Sequence, residues 1–135
     1  MGYDKEILIK RNIEKSDEAL EYAELAINGN GLTTALNRIY YALFYSISAL
    51  ALKHEFVTVK HTKLMGWFNK KFVYEDKKLD KKFTKIYSDA FMQRQESDYL
   101  TMYTPNIEQV KKLYLDVLLM IKLIRNEIWG ENANI

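Results

Sequence analysis

Seven residues near the end of the chain, Ile107, Val110, Tyr114, Val117, Ile121, Ile124 and Ile128, recur at alternating spacings of three and four. A strand would alternate every second residue, so this stripe is one face of an α-helix. A helix of that length with one apolar face must bury it against other helices or against a sheet. Turn residues decide between the two. The chain of 135 residues holds five glycines and one proline, too few for strands broken at short intervals. The expected fold is therefore all-α.

The other helices follow from similar patterns. Ile9, Ile13, Ser16, Leu20, Ala23 and Ile27 mark a first helix from about Asp4 to Ile27, closed by Gly29, Asn30 and Gly31. A second runs from about Thr33 to Lys53 and is apolar on nearly every side from Tyr40 onward, which makes it the most buried. A shorter one is expected from Lys60 to Phe72, with Thr58 as a candidate N-cap and Val73–Lys78 as a connector. The next spans about Leu79 to Ser97, followed by a polar and aromatic loop from Asp98 to Tyr103. Thr104 and Pro105 have the chemistry to open the last helix as N-cap and first helical residue. The sum is one domain over residues 1–130, an antiparallel bundle of four long helices plus one short helix, with 131–135 as a frayed tail.

Composition removes several function classes. The chain has no cysteine, which excludes disulfides, thiol catalysis and cysteine-ligated zinc. The start is charged within a few residues and no apolar segment resembles a signal peptide. The run from Tyr40 to Leu52 is too short to span a bilayer. The expected location is cytoplasmic, with no membrane partner. Charge is uneven: residues 53–85 hold ten lysines against four acids, a surplus of six in a chain whose formal net charge is +2. The balance of −4 falls elsewhere, much of it on the first helix. Such a surface either steers an anionic partner or simply solvates exposed helical faces.

Candidate chemistry centres on Arg94. Asp98 lies four residues on and shares its side if the helix extends that far. Tyr99 follows directly. An arginine beside a tyrosine can grip a phosphate and stack a base, or the arginine and aspartate can merely pair across a helix end. Asn37, Arg38, Tyr40 and Tyr41 form a second cluster. Arg38, Tyr41 and Tyr45 share one face, Tyr40 lies with the core, and Asp98 is a candidate partner for Arg38. His54 and His61 make a poor metal pair, since no carboxylate pattern completes a set. No cofactor or metal is expected. Nothing places a histidine beside Ser46, Ser48, Ser88 or Ser97, so serine hydrolysis is unsupported. The ten tyrosines, with Tyr87 and Tyr103 expected near Arg94, serve packing or interfaces on the simplest reading.

The string from Ala35 to Phe44, Lys60-His61 leading to Phe68 and Phe72-Val73, Leu79-Asp80, and Arg94 with Ser97-Asp98-Tyr99 together resemble the HEPN family, in particular its small stand-alone prokaryotic branch. The resemblance implies a helical bundle that pairs as a two-fold homodimer. It also implies a minimal nucleotidyltransferase as partner in a toxin–antitoxin pair. Many HEPN proteins are metal-independent ribonucleases whose arginine is followed, after four to six residues, by histidine. Here Tyr99 stands at the histidine position and Thr101 at that of a tyrosine open to AMP modification. Tyrosine is a poor acid–base group near neutrality.

The favoured expectation is therefore a non-catalytic HEPN module. It would bind a nucleotide, RNA or a nucleotidyltransferase through Arg94, Asp98, Tyr99, Asn37, Arg38 and Tyr41, with Tyr99 or Tyr103 as modification sites. The alternatives are an active ribonuclease, using Arg94 with Tyr99 or with His61 from another helix, and a purely structural dimeric module.

Overall fold

The computed structural model describes residues 4–130. They form five α-helices and no strand: α1 (Lys5–Asn28), α2 (Leu32–Lys53), α3 (His61–Phe68), α4 (Lys82–Tyr99) and α5 (Ile107–Trp129). The all-α bundle expected from periodicity is the observed one. The C-terminal tail at 131–135 lies outside the described residues.

Asp4 starts α1 by accepting a hydrogen bond from the Glu6 N–H, which satisfies one of the donors left open at a helix start. The helix ends in a Schellman turn. Asn30 takes φ 60°, Gly31 N–H reaches Ala26 O at 2.7 Å, and Asn30 N–H reaches Ile27 O at 3.1 Å. The same closure ends α2, with Glu55 at φ 61° and Phe56 N–H on Ala51 O at 2.8 Å.

Chain direction follows from which ends meet. Lys5 near the start of α1 faces Glu55 after α2, and Asn37 early in α2 meets Asp98 late in α4. Lys53 at the end of α2 donates to Glu127 O and Ile128 O at the end of α5. So α1 and α4 run one way while α2 and α5 run the other. The helix α2 is central and packs against α1, α3, α4 and α5. Leu36, Ile39, Leu43, Ile47 and Leu50 on it are fully buried, each contributing about 1.5–3 kcal/mol of burial.

Three helix starts and one connector differ from expectation. The N-cap of α5 is Asn106, whose side chain accepts from Gln109 N–H, rather than Thr104. Asn-x-x-Gln has the spacing of a capping box, so it outcompetes the Thr-Pro pair two residues earlier. Thr58 does not cap α3; its hydroxyl accepts from Lys60 N–H in the preceding turn. Asp80 similarly accepts from Lys82 N–H, and α4 starts at Lys82 rather than Leu79.

The expected connector at Val73–Lys78 is partly helical. Beyond Phe68 the chain continues as a π-helix over Asn69–Glu75, with Asp76 N–H on Lys71 O. An α-helix would turn Val73 well away from Phe68. The wider i to i+5 turn keeps Phe68, Phe72 and Val73 all buried.

Candidate functional site

Where α2 and α4 pass each other, the fold brings together six of the residues singled out above. The helix α4 extends through Tyr99, so Arg94 and Asp98 do share a side. Arg94 Nε lies 2.9 Å from Asp98 Oδ2, off-line for a hydrogen bond, which makes the contact an ion pair. Arg94 Nη2 donates to the Tyr41 hydroxyl at 3.3 Å. Its guanidinium also sits over the faces of Tyr41 and Tyr40, 5.2 and 5.6 Å from the ring centres. Such stacking suits the flat guanidinium and holds it in place.

Asn37 links the second arginine to this group. Its amide reaches Asp98 Oδ2 at 3.5 Å, and its carbonyl oxygen accepts from Arg38 Nε and Nη2 at 3.1 and 2.8 Å. Arg38 therefore bonds to Asn37 rather than to Asp98, one candidate partner for it. It too lies over Tyr41, 5.4 Å from the ring centre. Asn37 thus links the two guanidinium groups, but only Arg94 reaches the Asp98 carboxylate. Among the described residues Arg38 has no carboxylate partner.

The remaining predicted residues are placed differently. Tyr99 is the last residue of α4 and is 72% exposed. Tyr103 sits in a groove with Gln93, Glu96, Gln109 and Lys112. Arg94 and Glu96 are two residues apart, so that groove is on the opposite face of α4. Tyr103 therefore does not join Arg94, contrary to the expected clustering. Tyr87 is fully buried below the site, against Phe68.

His61 is the residue that sequence reasoning left at the margin. At the start of α3, its ring stacks on Phe44 at 4.4 Å and on Tyr40 at 5.5 Å, with Tyr41 edge-on at 5.9 Å. Its Nδ1 lies 2.5 Å from the Tyr40 hydroxyl. The signal for this was Tyr40 itself: a tyrosine on the core face needs a partner for its hydroxyl.

Proton positions follow from the environment. Burial pushes the Tyr40 hydroxyl far above its ordinary range, so it keeps its proton. Burial first, and Arg94 second, push the His61 imidazole below its usual value, so it is neutral at pH 7. The fully buried Tyr40 hydroxyl has no other hydrogen-bond partner among the described residues, so its proton is satisfied only by donation to Nδ1, which puts the proton of the neutral ring on Nε2. His54 packs instead on Phe72 and Trp67. The two histidines serve different places, and no metal-ligating group forms among the described residues.

Comparison with known proteins agrees with this architecture. The chain is 36% identical over 108 residues, 80% of its length and 81% of the relative's, to a protein of Thermotoga maritima named "UPF0332 protein". It is 29% identical over 140 residues, 99% of its length and 93% of the relative's, to a protein of Methanocaldococcus jannaschii named "Putative toxin MJ0142". Residues 9–127 match the profile described as the HEPN domain. The chain belongs to the HEPN domain family.

Proposed function

We propose that this HEPN domain binds a phosphate-bearing ligand, a nucleotide or an RNA strand, at the Arg94–Arg38 cluster, without cleaving it. One observation carries the reading: of two neighbouring guanidinium groups only Arg94 is paired with a carboxylate, while Arg38 is held by the neutral Asn37 amide, which leaves a fixed positive charge framed by tyrosine rings. Asp98 and Tyr41 hold Arg94 without neutralising the cluster, and its Nη1 has no hydrogen-bond partner among the described residues. That arrangement suits a phosphate gripped by arginines and a base stacked on an aromatic face. The lysine-rich stretch from Lys53 to Lys85 would draw such a ligand in.

The setting we infer is a homodimer paired with a minimal nucleotidyltransferase, in the manner of a toxin–antitoxin system. The name of the Methanocaldococcus relative, "Putative toxin MJ0142", supports the toxin-like part of it. Tyr99, exposed at the end of α4, is the accessible candidate for modification by such a partner.

Fluorescence anisotropy with a labelled single-stranded RNA tests the binding. Replacing Arg94 or Arg38 by Ala is expected to weaken it about tenfold each and to flatten its salt dependence by roughly one charge. RNA affinity unchanged in the double variant would sink the proposal.

His61 beside the same cluster favours a second reading, an active ribonuclease. Its proton on Nε2 argues against it, because the exposed edge then offers a donor where cleavage needs a base. Labelled RNA incubated with the protein in EDTA separates the readings. Intact RNA is expected; cleavage abolished by His61→Asn would establish the ribonuclease instead.

A further inference from the structure

Beside His61 lies a cavity of about 410 Å³ between α1, α2 and the turn leading into α3. Phe44, Leu52, Phe56 and Leu64 supply apolar walls, and Asn12, Ser48 and His61 supply polar groups. Its outer rim is Val57 and Val59, which are 76% and 86% exposed. Neither valine is used by the core, and a solvent-facing apolar rim over a concave site is characteristic of ligand pockets.

The cavity lies along the same face of α2 as the arginine cluster. Asn37, Tyr41, Phe44, Ser48 and Leu52 form one stripe along α2, with spacings of three and four. The first two belong to the cluster and the last three line the cavity. The helical rise puts Tyr41 and Ser48 about 10 Å apart. His61 stands between them, stacked on Phe44 and edge-on to Tyr41.

The polar groups form a mixed set. With Nδ1 engaged by Tyr40, His61 offers Nε2–H as a donor. Asn12 spends its amide on Leu8 O and keeps its side-chain oxygen as an acceptor. The Ser48 hydroxyl can do either. A flat heterocycle with both donors and acceptors on its edge, and two apolar faces, meets these walls.

We propose that this cavity receives the nucleobase of a nucleotide whose phosphate lies on Arg94 and Arg38. The inference rests on the phosphate reading above and assigns the other half of the same ligand. His61 is then a positioning residue at the junction, a neutral donor that recognises the base edge.

NMR titration of the whole protein with the four ribonucleoside 5′-monophosphates and with ribose 5-phosphate tests it. The wild type is expected to bind at least one monophosphate ten or more times more tightly than ribose 5-phosphate, with the His61 Nε2 resonance moving only for the former. Ser48→Phe, which fills the cavity, is expected to remove that preference while leaving ribose 5-phosphate binding unchanged. Val57→Ser with Val59→Ser changes only exposed side chains, so folding is safe, and should reduce the preference severalfold. Arg94→Ala should weaken both ligands. Equal affinity for monophosphates and ribose 5-phosphate, or a preference that survives both cavity variants, overturns the nucleobase assignment while the phosphate site stands. Binding of both ligands indifferent to Arg94→Ala overturns the phosphate site instead.

Discussion

The two sides of α2 are built on different terms. Toward α1 and α5 the packing is tight and its polar groups are mostly matched, Arg125 Nε being the exception among the described residues. Ala19, Ala23, Ala42 and Ala49 are fully buried, and small side chains let helices approach closely. Ser16 donates to Ala42 O at 2.7 Å and its oxygen lies 2.8 Å from Ser46 Oγ. With its single proton spent on the carbonyl, Ser16 must accept from Ser46. Arg125, 1% exposed on α5, pairs with Asp17 of α1. Toward α3 and α4 the packing is aromatic and charged, and more of its polar groups go unmet: among the described residues the Tyr87 hydroxyl, Ser97 Oγ, Arg94 Nε and Thr84 Oγ1 have no hydrogen-bond partner. Buried groups are usually satisfied, so such exceptions mark where a structure serves something besides stability. The first side holds the fold together, and the second presents chemistry.

The sharpest test compares the two arginines. Removing one partner of a fully buried pair costs about 3–5 kcal/mol. Asp17 is half exposed, so Asp17→Ala should cost about 2–3 kcal/mol, read as a lowered urea midpoint. Arg94→Ala, at a partly solvated ion pair, should cost less than about 1 kcal/mol. Equal losses would erase the contrast.

Next in size is the serine pair. Ser16→Ala should cost about 1 kcal/mol by leaving the Ser46 hydroxyl unpaired, while Ser16→Ala with Ser46→Ala should recover part of that loss. A double variant that loses the sum of both singles would show that the hydroxyls act independently.

The pH dependence should belong to the second side. His61 and His54 both have values held below the ordinary imidazole range, burial being the first cause in each. Above about pH 6.5 both states are neutral and no penalty arises. As pH falls below that value the unfolded chain binds protons that the folded one resists, so stability declines until the folded imidazoles also protonate. Urea midpoints at pH 7.5 and 5.5 check this, and His61→Asn with His54→Asn should flatten the difference.

How much of this contrast could be read in the sequence differs between the two sides. The stripes of α1 and α5 come directly from local spacing, and so does Arg125 in principle, since it sits four residues after Ile121 on the inward face. What spacing could not supply was its partner, 108 residues away. Arg38 with Tyr41, and Arg94 with Asp98, are legible as pairs at helical spacing, and Asn37 as the neighbour of Arg38. The role of His61 was harder to see because the turn after α2 and the start of α3 decide where it lands. The π-helix at Asn69–Glu75 has no periodic signature of its own; it arises from the need to bury Val73 with Phe68 and Phe72.

The smallest effect concerns the turns at either end of α2. Asn30 suits its left-handed conformation, whereas Glu55, beside the cavity, does not. Glu55→Gly should stabilise by about 0.5 kcal/mol and Asn30→Gly by less, measured as paired midpoints. A larger gain at Asn30 would reverse the expected order.

Lys53 ties these observations to motion. Its ammonium group holds Glu127 O and Ile128 O, so the last turn of α5 and the last turn of α2 share a clasp spanning 74 and 75 residues of sequence. The two ends are therefore expected to open together in amide hydrogen exchange, and Lys53→Met to uncouple them. The residues immediately after Lys53 lead into Phe56 and Val57 of the cavity wall. Loosening the C-terminal helix would therefore be felt at the cavity, and a ligand that orders that wall would slow exchange at the end of α5.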